Sequence, residues 1–431
     1  MSLSPPPSPS HSPLISFATL AVPLPHRPPI RGITPALANH LVLQHGTEFL
    51  TLADNQTLQA VERLERHTQE ITAVVEDEGS IWSAGRDALV VQWDERSQRP
   101  ATEIKAFIKH ALPLTALTTY SPEHLVIGGS EQQRQDAITI FWDTRNTSTP
   151  AYTQRCHSDD VTHLSILPPT ATWATHSGPF PSPLLLSGGR GGEVALSDLH
   201  NASDEWGEAV VCAWMGQPVD AAGVYLWKEQ MQVWARTGNT VSRRTIVDDE
   251  EGFIEFKEDK SEAWTPNEIL RLPDEGPSIV HPAEEERPYP AAVRPSYLST
   301  VLPSMGLNKD GMPVLGAGTD DGNVVLYGGW QQSAPIAFLM SGHEARGHKS
   351  AVRAMHYAAH DRALYTGSED GVLAGWNLAS LPGLSDLEDE EESEDDESED
   401  ESEIESESDE SDGEDDRGAG TRGRRAYGPR W

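Results

Sequence analysis

From Leu41 to Leu378 short apolar runs alternate with polar residues and stop at clusters of Gly, Asp, Asn or Pro. That rhythm predicts many short strands joined by tight turns, and so an all-β sandwich, barrel or propeller. The clearest unit is residues 347–377, GHKSAVRAMHYAAHDRALYTGSEDGVLAGWN. A Gly-His pair opens it, a strand is expected at Ala351 to Met355, and a second runs from Thr366 into a turn at Asp370. Trp376 stands six residues beyond that Asp. The spacing is that of one four-stranded propeller blade.

The recurring residue types have a physical reason to occur together. A buried indole N–H at Trp376 needs an acceptor, which the Thr366 hydroxyl supplies; that hydroxyl meets one ring nitrogen of His348, and the other reaches the Asp370 carboxylate. Hydroxyl, imidazole and carboxylate in a row also suggest a hydrolase triad. Hydrolysis, however, needs the hydroxyl in an open cleft beside an oxyanion hole, whereas this one is expected mid-strand under a Trp. The structural reading is therefore preferred, because a connected polar network fixes a core.

Similar units recur along the chain. The second blade carries His67, Ser83, Asp87 and Trp93. A weak first blade is read from Thr51, Asn55 and Val61, which repeat the hydroxyl, turn and Trp offsets. The third runs from His110 to Trp142, with a turn lengthened before Asp136. The fourth opens at His157 and keeps Ser187, but Gly191 and Ser197 stand at the turn and Trp positions, so its network is expected to be missing. A poorly marked fifth fits Val210 to Val247, and the sixth has Asp321 at the turn and Tyr327 in the Trp place. Seven blades are thus expected over residues 33–380, with residues 248–290 as an acidic insertion loop. Residues just before Leu41, Gly32 to His40, are expected to supply the last strand of the seventh blade and fasten the ring. Residues 1–32, rich in Pro and Ser, are expected to be a disordered extension.

Charge changes the picture at the far end. Residues 386–416 hold 22 Asp and Glu with no Lys or Arg, and five Arg follow. Of the formal net charge of −36, residues 1–385 therefore carry −19. Residues 381–431 are expected to be a solvated acidic tail with an Arg/Gly end, and Ser393, Ser398, Ser402 and Ser406 resemble sites for an acidophilic kinase. Direct DNA binding is disfavoured, because phosphate contacts need a basic face. Only Cys156 and Cys212 are present, which excludes a disulfide framework and suits a reducing compartment. No apolar run reaches membrane-span length, so no membrane partner is expected, and the Asn55, Asn146 and Asn201 sequons are read as chance matches.

The sequence signals for chemistry are incomplete. His343-Glu344 and His348 have one residue too many for a zincin motif, and the Gly-rich run at Ser187 lacks the Lys-Ser/Thr end of a phosphate loop. Cys156, His157 and His163 lack a second ligand pair for zinc. No catalytic residue, metal or cofactor is expected.

The repeats resemble the WD40 family over most of residues 41–378, carried by DAITIFWDTRN (136–146), HSDDVTH (157–163) and the 347–377 unit. The resemblance implies a seven-bladed β-propeller acting as a non-catalytic protein-interaction scaffold. It further implies that the residue before each turn Asp lines one face: Arg86, Gln135, Asp320 and Glu369, with Arg190 at the matching place in the fourth blade. A monomeric ring with protein partners in an intracellular complex, nuclear or nucleolar rather than cytoplasmic, is the expectation. The alternative is an escort for a basic nuclear client, a ribosomal protein or histone, held by the acidic tail.

Overall fold

Antiparallel hairpins fold each repeat into a small sheet whose first strand lies innermost, and the sheets succeed one another around an axis. The computed structural model describes residues 13–36, 39–94, 96–167, 174–175, 178–179, 182–201, 210–227, 230–248, 254–258, 270–271, 292–293, 295–307, 312–329, 335–341 and 347–381. They form a seven-bladed β-propeller. The chain divides into two units, residues 1–388 and 389–431. The second lies wholly outside the described residues, as do the acidic run and its four serines.

The first blade comprises Gly32–Ala36, His40–Gln44, Phe49–Asp54 and Ala60–Glu65. Ile71–Asp77, Ser80–Gly85, Leu89–Asp94 and Arg99–Lys105 make the second. The third follows with Leu114–Tyr120, Leu125–Ser130, Ala137–Asp143 and Tyr152–His157. The fourth has Val161–Leu167, Leu184–Gly189, Glu193–Asp198 and Val210–Met215. Ala221–Trp227, Gln230–Thr237, Thr240–Asp248 and Ile254–Glu258 form the fifth. The sixth takes Tyr297–Leu307, Met312–Gly318, Val324–Gly328 and Pro335–Met340. The seventh is built from Val352–Ala358, Ala363–Ser368 and Val372–Asn377, and its outer strand comes from the other end of the chain.

That outer strand is Leu20–Pro23, antiparallel to Val372–Asn377 with Leu20 opposite Gly375 and Pro23 opposite Val372. Just before it, Leu14–Phe17 adds a fifth, parallel strand to the sixth blade, pairing Leu14 with Ala337 and Phe17 with Met340. Two expectations are corrected here. The N-terminal stretch is ordered in strands from Leu14 onward, while residues 1–12 lie outside the described residues. Gly32–Ala36 does not fasten the seventh blade; it is the inner strand of the first. Composition misled because a Pro-rich stretch can serve as an outermost strand, where missing N–H groups face solvent.

The first blade also lies one strand earlier than the offsets of Thr51, Asn55 and Val61 suggest. Phe49–Asp54 is its third strand, so Leu43 and Ala53 occupy the hydroxyl and Trp places, and Val61 lies exposed on the outer strand. The insertion in the fifth blade begins later than residue 248, because Ile254–Glu258 pairs with Arg244–Asp248 as the outer strand. Further on, Leu270–Arg271 pairs with Ala292–Val293; residues 259–269 and 272–291 lie outside the described residues.

The core sits between neighbouring blades. Leu50, Leu52, Ile81, Val91 and Trp93 join the first to the second, and Leu302, Val314, Val352, Leu364 and Trp376 join the sixth to the seventh. Burying each such side chain stabilises by about 1.5–3 kcal/mol. Close approach is allowed by glycine in second strands: a Cβ on Gly129 would stand 2.6 Å from Val161, and one on Gly367 would stand 2.3 Å from Ile30. Hydroxyls stitch the inner strands together as well. Thr72 donates to the Leu114 carbonyl at 2.8 Å, Thr115 to Val161 at 2.6 Å and Thr162 to Val219 at 2.6 Å, each reaching the next blade.

Removing residues 1–24 deletes both added strands and leaves Val372–Asn377 as an exposed edge. The truncated protein is expected to melt on the order of 10 °C below full-length protein, whereas removal of residues 1–12 leaves the midpoint unchanged. Differential scanning calorimetry of the three chains decides it.

Candidate functional site

In the second blade the Trp93 indole donates to Ser83 Oγ at 2.9 Å, Ser83 meets His67 Nε2 at 2.9 Å, and His67 Nδ1 lies 3.0 Å from Asp87 Oδ1. Asp87 also accepts the Thr68 N–H at 2.8 Å and the Leu89 N–H at 3.3 Å. Burial raises the Asp87 pKa, but these donors outweigh it and hold the carboxyl below its ordinary range. Ser83 is fully buried. Its oxygen is occupied and no substrate reaches it, so the hydroxyl is architectural.

The other blades vary this chain of contacts. In the seventh, Trp376 donates to Thr366 at 2.7 Å and Thr366 meets His348 Nε2 at 2.6 Å. Here Asp370 turns to the Lys349 and Val372 N–H groups and to Ser368, so His348 Nδ1 is left without a hydrogen-bond partner. The expected His348–Asp370 hydrogen bond is thus absent. In the fourth blade the network expected to be missing is partly present. His157 Nε2 meets Ser187 Oγ at 2.8 Å, and Glu193 replaces the turn carboxylate, 3.9 Å from His157 Nδ1. Ser197, in the Trp place, accepts from Gln154 of the third blade at 3.0 Å. In the third blade Gly128 stands at the hydroxyl position, where a Cβ would lie 3.0 Å from the Trp142 ring; His110 is exposed and pairs with Gln133.

Turns between second and third strands meet the loops that lead into their own blade's inner strand, and together they build one face. The Arg86 N–H donates to the Glu70 carbonyl at 2.9 Å, Arg190 to Asp160 at 2.8 Å and Glu369 to Ala351 at 3.0 Å. On this face the Arg86 side chain bridges Glu70, at 3.0 Å, and Glu131. Arg190 lies 3.8 Å from Asp160, Asp320 accepts from Ser296 at 3.1 Å, and Glu369 accepts from Arg353 at 2.8 Å. Gln135 is exposed in the lengthened third-blade turn, its N–H on the Gln133 carbonyl at 3.0 Å. Partly exposed Arg-carboxylate pairs of this kind add little stability and remain available for exchange with a partner.

A cavity of about 660 Å³ opens among Pro29, Arg31, Arg236, Tyr297, Leu298, Arg353 and Glu369. These residues come from the fifth, sixth and seventh blades and from the segment that leads into the first. Of the sequence-derived face residues only Glu369 lines it. The three arginines escaped sequence reading because they belong to no repeat motif and meet only when the ring closes. The Thr72, Thr115 and Thr162 ladder did leave a signal, an apolar residue then Thr at the start of successive inner strands.

Among the described residues burial lowers the pKa of His45, His163, His348 and His356, most of all at His163 and His348. Burial pushes His163 down to about 4, and its Nε2 is closed off without a partner. Burial likewise pushes His348 down to about 4, with Asp370 opposing. Both folded values lie below the unfolded value of about 6.5, so the unfolded chain binds more protons and stability is lost as pH falls from about 6.5 toward about 4. Taking the protein from pH 7 to pH 5 is expected to cost ~2 kcal/mol per histidine. In urea titrations His163→Gln should flatten this slope; an unchanged slope would contradict the assignment.

Residues 340–377 match the family model described as WD domain, G-beta repeat. That match runs from Met340, the last residue of the sixth blade's outer strand, through the three strands Val352–Ala358, Ala363–Ser368 and Val372–Asn377 of the seventh, and with seven blades around one ring it supports placing the chain with the WD40-repeat proteins.

Proposed function

We propose that this protein is a non-catalytic interaction scaffold, binding protein partners of an intracellular complex on the face that carries Arg86, Gln135, Arg190, Asp320 and Glu369. The observation that carries the reading is the division of labour among polar groups. His67, Ser83, His348 and Thr366 are buried in blade-stabilising contacts, while charged side chains of both signs collect on one loop face. Such a surface gives orientation and partner choice through charge complementarity. Within the WD40 proteins the 136–146, 157–163 and 347–377 segments look most like WD repeat-containing protein 89, a likeness that speaks for scaffolding and names no partner.

The acidic run favours a second reading, an escort for a basic nuclear client such as a ribosomal protein or histone. Its 22 carboxylates without a cation imitate a polyphosphate. The same run and the Arg/Gly end support a nuclear or nucleolar site of action.

Affinity purification from cells separates the two. A scaffold loses its partners when Arg190→Glu or Arg86→Gln is introduced, with melting within a few degrees of wild type; Gln avoids placing a third carboxylate beside Glu70 and Glu131. Recovery unaffected by both substitutions would rule this face out. Deleting residues 386–416 leaves a scaffold's partners bound. An escort loses its client on that deletion, and the intact protein's binding falls steeply between low and physiological salt.

A further inference from the structure

We propose that the arginine-lined cavity beside the fifth, sixth and seventh blades receives a short acidic peptide segment of a protein partner, carboxylates on Arg31, Arg236 and Arg353 and an apolar side chain against Tyr297, Leu298 and Pro29. This rests on the scaffold reading and adds the chemistry of what is bound.

Residues 1–385 carry a net charge of −19, yet the walls of this cavity carry three guanidiniums and one carboxylate. The lining itself is basic, with Glu70 beside Arg31 and Asp220 acting on Arg236 from outside it. Arg353 is held in place from two sides, by Glu369 at 2.8 Å and by the Tyr297 ring, 5.0 Å from its guanidinium carbon. A guanidinium fixed in this way presents its fork with little further ordering, which favours bidentate capture of a carboxylate. Arg31 is more than half exposed and its contact to Glu70 is 3.5 Å, longer than a good hydrogen bond, so it can turn to a ligand. Arg236 projects from the second strand of the fifth blade and reaches the Leu298 carbonyl at 3.4 Å. Burial lowers its pKa, Asp220 opposes this and Arg353 adds to it. The Arg353 effect is smaller than that of Asp220, and a carboxylate bound in the cavity would favour the charged form of both guanidiniums.

The size and surroundings select the ligand class. About 660 Å³ admits a few side chains. A long polyanion such as RNA would have to lie against an acidic body, which disfavours it. Tyr297, Leu298 and Pro29 give the cavity an apolar wall that inorganic anions cannot use.

Fluorescence anisotropy with the full-length protein tests this. The probes are a labelled octapeptide of alternating glutamate and leucine, its glutamine counterpart, and an eight-nucleotide single strand. The glutamate peptide is expected to bind at least tenfold more tightly than the glutamine peptide. Arg31→Gln and Arg353→Gln are each expected to weaken it at least threefold and together more than tenfold. Arg353→Lys falls between, and Arg96→Gln, outside the cavity, has no effect. Thermal melting checks that each variant is folded. Equal affinity for the two peptides, insensitivity to the double substitution, or oligonucleotide binding of equal strength with the same arginine dependence would each overturn the proposal. If the peptide results fail while Arg190→Glu still abolishes partner recovery, this inference falls and the scaffold reading stands.

Discussion

Closure is the constraint on which the ring depends. Each blade buries its faces against two neighbours, so an incomplete blade exposes both its own sheet edge and the apolar sides of the blades beside it. Here the outer strand of the seventh blade is Leu20–Pro23, bonded where the Thr19 N–H donates to Gly375 and the Leu24 N–H to Gly371, both at 2.8 Å. The chain then passes Ile30, fully buried, and enters the first blade at Gly32. One segment thus ties together the sixth, seventh and first blades. The seam between the earliest and latest residues becomes part of the continuous core.

With the ring closed, the polar groups inside it have defined tasks. Trp93, Ser83, His67 and Asp87 satisfy one another, and the same logic recurs with fewer members at Trp376 and at Ser187. A buried polar chain of this kind penalises misregistered sheets, because slipping a strand by one residue would leave its donors unpaired. The proposed binding surfaces are accordingly the loop face and the arginine-lined cavity, where side chains are exposed enough to change partners.

What could be read from sequence follows the same division. The second and seventh blades were visible because their buried network admits few residue types at fixed spacing. The first was misplaced by one strand, since Leu43 and Ala53 satisfy the core with apolar atoms alone and leave no polar signature. Leu20–Pro23 was hidden in Pro-rich composition, and its partner strand is some 350 residues away, as the Thr19 bond to Gly375 shows with a separation of 356. Glu193 took over from the absent turn Asp at an unexpected position. Arg31, Arg236 and Arg353 could not be grouped by any local pattern, because only ring closure brings the fifth and seventh blades and the segment that leads into the first to one cavity.

Native-state hydrogen exchange read by mass spectrometry tests closure most directly. The account predicts that the amides of residues 19–24 exchange as slowly as those of Val372–Asn377, both opening only with the whole ring. Exchange of residues 19–24 within seconds, while 372–377 stays protected, would contradict it.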